Sequence, residues 1–179
     1  MLDQEFERIG RRLHREGLVG GNFGNMSVRE GNTLGITQTG CYLDEPGTPV
    51  RVPLIGNAPS NASSEYRVHR AVYLETPHRA IVHAHPVHAV AASLLYDEIV
   101  PIDSEGQMLC PRIPVVEGTP GTPELARAVA DALRLRSLVI VRGHGTFAGG
   151  ATLDEAGLYT SLAEHACRVL LLVEAHRRR

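Results

Sequence analysis

The sequence predicts an α/β fold in which helices cover both faces of a mixed, mainly antiparallel sheet. Three observations carry this expectation. Helical and strand periodicities alternate irregularly along the chain. Several strand-like runs are separated by only a few turn residues, which suits hairpins, because parallel neighbours need long crossovers. The runs Arg79–His85 and Ser137–Arg142 are apolar enough to be covered on both sides.

Each element has its own local reason. Leu2, Phe6, Ile9 and Leu13 recur at helical spacing, with Asp3 as N-cap and Gly17 as stop. Gly20 to Asn25 is too glycine-rich for regular structure. Residues 26–29 and 33–37 read as two short strands turning at Gly31-Asn32. Residues 44–62 hold Pro46, Pro49, Pro53 and Pro59, so loop is expected there, with one short strand at 50–52. Ser63 or Ser64 is expected to cap a helix running to Glu75. The Arg79–His85 strand ends at Pro86, which suits the first position of a helix over 87–95. Residues 98–102 and 113–116 read as strands joined by a polar loop. Thr122-Pro123-Glu124 starts a helix to Leu135, and the strand 137–142 ends in Gly143-His144-Gly145. Thr152-Leu153-Asp154-Glu155 is a capping box opening a long last helix.

Length and composition limit the function classes. A chain of 179 residues is read as one domain, 1–179, with a sizeable core. A net charge of −2 gives no nucleic-acid footprint, and Arg177-Arg178-Arg179 is expected to answer a helix dipole. No apolar run approaches the roughly 20 residues that span a bilayer. Asp3, Glu5 and Glu7 break any signal-peptide core. Cys41, Cys110 and Cys167 form no spaced pair, which argues against a disulfide scaffold or a cysteine zinc site. The expectation is a cytoplasmic protein without a nucleic-acid or membrane partner.

Chemistry concentrates at three histidines. Side chains alternate along a strand, so His83 and His85 share a face. Such a pair can be a plain polar strand edge, or two of the roughly three protein ligands of an open zinc site. His144, between two glycines at a strand end, is the third candidate. Glu65, at the head of a helix, is either an ordinary first-turn acid or a carboxylate beside the metal, as ligand or as base. Asn25, Thr39-Gly40 and Ser63-Ser64 are ordinary turn or cap residues singly. Converging, they would offer amides and hydroxyls to a phosphate. The remaining histidines read as structural: His14, His69 and His78 at solvated positions, His165 and His176 on the last helix. His88 follows His85 closely but is read as a non-ligand.

Taken together, Gly24-Asn25-Met26-Ser27-Val28-Arg29, Thr37-Gln38-Thr39-Gly40, Ser63-Ser64-Glu65 with His69, Ile81-Val82-His83-Ala84-His85, Gly121-Thr122-Pro123-Glu124-Leu125 and Gly143-His144-Gly145 resemble the class II (zinc-dependent) aldolase and adducin head-domain family. The resemblance implies a three-layer α/β/α sandwich and a homotetramer with active sites between subunits. It implies zinc, or another divalent transition metal, on His83, His85 and His144. Glu65 would be a fourth ligand in the empty site and the acid/base in turnover, and Asn25, Thr39, Gly40, Ser63 and Ser64 would bind phosphate. The implied reaction is reversible cleavage of a ketose 1-phosphate, L-fuculose 1-phosphate or a 5-deoxypentulose 1-phosphate, to dihydroxyacetone phosphate and a short aldehyde. An epimerase or dehydratase on the same metal site is the second reading. A silent adducin-like module is the third, against which the intact His83, His85, His144 and Glu65 argue. Where the family's aldolases carry a tyrosine that protonates the aldehyde oxygen, this chain reads Asp103-Ser104-Glu105-Gly106-Gln107. Asp103, Ser104, Glu105 or a water is then expected to do that work. The family's aromatic C-terminal tail has no counterpart before Arg179, so fewer groups are expected to enclose the aldehyde.

Overall fold

The computed structural model describes residues 2–177. Its strands are β1 (Asn25–Glu30), β2 (Thr33–Ile36), β3 (Val50–Pro53), β4 (Ala80–Ala84), β5 (Glu98–Ile99), β6 (Ile113–Val116), β7 (Leu138–Val141) and β8 (Gly145–Gly150). They form one sheet in the order β3-β2-β1-β4-β8-β7-β6-β5. Among the described residues only β6 and β7 run parallel, and the helix needed for that crossover lies between them in sequence. The helices are α1 (Leu2–Arg15), α2 (Tyr66–Glu75), α3 (Val87–Ser93), α4 (Ser104–Leu109), α5 (Pro123–Leu133) and α6 (Leu153–Arg177).

Alternation along β4 divides the core. Ile81 packs with Val68 and Val72 of α2 and Val129 and Leu133 of α5 on one face. Val82 and Ala84 pack with Phe6, Ile9 and Leu13 of α1 and Ala156 of α6 on the other. Further along that second face, α3 and α6 cover β7 through Ala89, Ala92, Ile140 and Ala163. The result is the expected α/β/α sandwich, with a central strand buried over its whole length.

Local signals account for most boundaries. Thr122 caps α5 by accepting from the Leu125 amide at 3.3 Å, with Pro123 at the first helical position. The capping box opens α6: Glu155 N–H donates to Thr152 Oγ1 at 3.2 Å, and Glu155 Oε2 accepts from the Ala151 amide at 2.7 Å. Arg177 ends α6 as expected of a dipole-answering cation, whereas Arg178 and Arg179 lie outside the described residues.

Several expectations need correction. Leu2 is already helical, so Asp3 sits in the first turn and is not the cap. Pro86 occupies the N-cap position of α3 rather than its first helical residue. The strand expected over 98–102 stops at Ile99, because Pro101 has no N–H to offer a ladder. The polar loop after it forms α4, whose N-cap Asp103 accepts from the Gly106 amide at 2.8 Å. β8 was not expected, since three of its six residues are glycine.

His69 is the largest correction. It is fully buried on α2, with Nδ1 2.6 Å from Ser27 Oγ, which in turn lies 2.7 Å from the Tyr73 hydroxyl. His78 is half-buried, its Nε2 3.1 Å from the Leu133 and Arg136 carbonyls. Burial lowers the His69 pKa from 6.5 to about 3. Between those values the unfolded chain binds a proton that the native one does not, so stability present above pH 6.5 is lost as the pH falls. Each such proton is worth about 1.4 kcal/mol per pH unit. Urea unfolding at pH 6.5 and 5.0 is expected to show a loss smaller by about 2 kcal/mol in His69→Gln than in the unsubstituted protein. Equal losses would mean that the ring takes up its proton in the folded state.

Candidate active site

The site forms where β1, β4 and the β7–β8 turn end together. Asn25 pairs with His83, and His83 pairs with Phe147 across β8. This register leaves His85 just past β4, its amide bonded to the Leu18 carbonyl at 3.0 Å. The pairing of Val141 with Gly145 makes residues 142–144 a tight turn with His144 in it. Two glycines permit the convergence. A Cβ on Gly24, whose φ is +83°, would meet the His83 carbonyl at 2.6 Å, and one on Gly145 would meet the Ala84 carbonyl at 2.3 Å.

Arg142 ties that turn down. Its Nε donates to Glu117 (2.7 Å), Nη2 to Asp97 (2.6 Å), and Nη1 to the Ser93 carbonyl (2.5 Å). Ser93 Oγ accepts from the Gly143 amide at 2.9 Å, next to His144. The exposed ion pairs contribute little individually, but a guanidinium with all three nitrogens engaged fixes direction.

The three imidazoles form a nearly equilateral triangle, with ring centroids 4.8, 4.8 and 4.9 Å apart. A nitrogen from each lies within 4.8 Å of the others, and the Nε2 atoms of His83 and His85 are 3.0 Å apart. His83 Nδ1 donates to the Thr146 carbonyl at 2.9 Å, which leaves the Nε2 lone pair facing the other rings. Phe147 stacks on His83 at 4.1 Å and fixes its plane. His144 Nδ1 is buried without a hydrogen-bond partner. Burial, then the neighbouring His85 and His144, hold His83 well below the usual histidine pKa. Burial and His144 bring His85 down to about 4, and burial lowers His144. All three are therefore neutral at pH 7, the form in which imidazole ligates a metal. The donor set, the unpartnered nitrogen and the fixed tautomer fit a divalent transition metal.

The remaining expected site residues line one cleft of about 350 Å³ with this triangle. Asn25 is buried and its Oδ1 lacks a partner. The 37–40 and 61–64 segments are pinned side by side: Thr39 N–H donates to the Asn61 carbonyl (2.9 Å) and Ser63 N–H to the Thr37 carbonyl (3.1 Å). Thr39 and Gly40 thereby stand beside Ser63 and Ser64. Neither serine caps α2, contrary to expectation. Glu65 holds the cap position and makes no capping bond, so its carboxylate enters the cleft. Glu65 is buried with Oε2 unpartnered, yet it lies outside the three-histidine group. Burial raises its pKa, opposed by the Gly121 amide and Arg67.

A model of the class II aldolase and adducin N-terminal domain matches residues 4–171. The chain belongs to this family. Class II aldolases are zinc-dependent enzymes, and their metal chemistry matches the donor set just described. An L-fuculose phosphate aldolase of Methanococcus vannielii is 30% identical over 172 residues, covering 93% of each protein. One from Escherichia coli O6:H1 is 36% identical over 153 residues, which is 80% of this chain and 70% of the relative. The crystal structure of L-fuculose-1-phosphate aldolase from Thermus thermophilus superposes with a TM-score of 0.94 at 36% identity, covering 98% and 95% of the two chains.

Some functional neighbours of this aldolase site escaped the sequence reading. Phe147 lies in a glycine-rich stretch to which the sequence reading assigns no element, and its pairing with His83 is a property of the sheet. His88 stands outside the triangle, its Nδ1 donating to Glu164 at 2.6 Å. Asp103, Ser104 and Glu105 sit on or at the head of α4 and do not line the cleft. No helix among the described residues is long and apolar enough to cross a membrane.

Proposed function

We propose that this class II aldolase reversibly cleaves a ketose 1-phosphate to dihydroxyacetone phosphate and a short aldehyde. L-Fuculose 1-phosphate, or a 5-deoxypentulose 1-phosphate of the same stereochemical type, is the substrate. One observation carries the reading: a neutral histidine triangle, a buried carboxylate and a set of amide and hydroxyl groups line the same cleft. The names of the aldolases to which the chain is similar supply the sugar phosphate.

His83, His85 and His144 hold zinc or another divalent transition metal, which when bound supplies Lewis acidity to a carbonyl oxygen. Glu65 carries the proton to and from the carbon beside that carbonyl. Its position outside the histidine group and its raised pKa suit a base better than a permanent ligand. Asn25, Thr39, Gly40, Ser63 and Ser64 bind the phosphate. Leu94, Leu95, Val100, Ile102, Met108 and Leu109 leave an exposed apolar strip along the α3–α4 segment. That strip supports a homotetramer with the site completed by a neighbouring subunit.

The test compares the ketose 1-phosphate with the unphosphorylated ketose. Several charge-assisted hydrogen bonds to phosphate predict a kcat/KM at least about a hundredfold lower for the unphosphorylated sugar. Comparable values would remove phosphate recognition. Products decide the reaction: an epimer or a dehydrated sugar, in place of dihydroxyacetone phosphate and aldehyde, would move the site to the second reading.

A further inference from the structure

We infer that His69 is a positioning residue for the metal: pinned by Ser27 and Tyr73, its ring braces Phe147, and Phe147 holds the plane in which His83 presents Nε2. The inference rests on the metal assignment above. It gives a role to a histidine that the sequence alone places among the structural ones.

Packing does not account for this side chain. His69 is fully buried beside Val68, Val72, Ile81 and Phe147. A leucine there would carry no polar atom, whereas an imidazole gives up water at two nitrogens. Only one of them is satisfied: Nδ1 lies 2.6 Å from Ser27 Oγ, and Nε2 is buried without a partner. A buried polar atom left unpaired in a core calls for a reason beyond filling space.

The hydrogen bonds supply what an apolar side chain lacks, a fixed ring orientation. Tyr73 Oη donates to the Ser27 carbonyl at 2.9 Å, so Ser27 Oγ donates to Tyr73 Oη at 2.7 Å and accepts from His69 Nδ1. Arg29 Nη1 donates to the Tyr73 carbonyl at 2.6 Å and ties down the far end. The strand that carries this anchor also pairs with the ligand strand, Ser27 opposite Ile81 and Asn25 opposite His83. From the anchor the contact runs through rings. His69 meets Phe147 edge-on at 6.0 Å and 75°, and Phe147 stacks on His83 at 4.1 Å and 14°. The Thr146 carbonyl holds His83 only at Nδ1, and a ring held at one atom can still turn about that bond. Partners behind a ligand set the direction of its lone pair, and metal affinity follows from that direction.

The experiment titrates Zn²⁺ against a chelator in the unsubstituted protein, His69→Leu, Phe147→Leu and the double variant, and records the visible spectrum of each loaded with Co²⁺. His69→Leu is expected to weaken zinc binding about tenfold, the lower end of what partners behind a ligand contribute. The double variant should bind no more weakly than Phe147→Leu alone, because His69 acts through that ring. The cobalt bands of His69→Leu should move to where Phe147→Leu places them. Unchanged zinc affinity in His69→Leu, or an unmoved cobalt spectrum, overturns the inference. So do two effects that multiply in the double variant, which would assign His69 to core stability alone. Should His69→Leu fail to fold, Ser27→Ala leaves the ring in place but unpinned and is expected to weaken zinc about threefold, the worth of one hydrogen bond. No weakening there overturns the inference equally. Absence of zinc from the metal-replete unsubstituted protein overturns the metal assignment, and the inference with it.

Discussion

His83→Ala is expected to strip the protein of its divalent metal and reduce its activity to background. His83 is the most buried corner of the triangle, and its orientation is set on two sides, by the Thr146 carbonyl and by Phe147. Two histidines remaining would be one fewer than the roughly three protein ligands of a catalytic zinc site. Loss of an outer-shell partner alone costs 10–100-fold in metal affinity, so loss of the ligand itself should exceed about 100-fold. Metal content after dialysis, and competition against a chelator, give the measurement. His85→Ala and His144→Ala should behave alike, because the three rings stand at nearly equal distances. His88→Ala is the control: its ring is engaged by Glu164, and its loss should leave metal content unchanged. Stoichiometric zinc retained by His83→Ala would overturn the assignment. Metal lost from His88→Ala as readily would locate the ion elsewhere.

The parts of this site that were legible are those whose signal is local. Alternation puts His83 and His85 on one face whatever the strand pairs with, and glycines on both sides of His144 mark a turn near something. The α5 and α6 starts were legible because Thr122 and Thr152 bond to amides three residues away. What failed was set by partners distant in sequence. Ser27 and Tyr73 decide that His69 is internal, and Ser27 lies 42 residues away on a strand across from α2. β8 shows no strand signal because its glycines answer close backbone approaches, such as Gly145 against Ala84, that no window of sequence contains. Ser63 and Ser64 have the composition of caps, yet the Ser63 amide is spent pinning its segment to Thr37. The cap position then falls to Glu65, and that shift is what directs a carboxylate into the cleft.

Glu65→Gln is expected to abolish proton transfer while leaving the metal in place. The substitution keeps the shape and the polar contacts of the side chain and removes only its capacity to accept a proton at neutral pH. General-base catalysis contributes about 10²–10⁴-fold, so exchange of solvent deuterium into dihydroxyacetone phosphate should fall by that factor. Metal content should match that of the unsubstituted protein, because the histidine triangle forms without Glu65. This pairing of readouts separates Glu65 from the histidines, whose loss removes both. Burial raises the Glu65 pKa above 4.5, so its charged, proton-accepting form is gained at a higher pH than for an exposed glutamate. The exchange rate in the unsubstituted protein should therefore rise with pH through a value above 4.5, and that limb should be missing from the residual rate of Glu65→Gln. Undiminished exchange in the variant would reassign the base. Because Asp103 and Glu105 do not line the cleft, such a result would bring one of them in only through the proposed assembly.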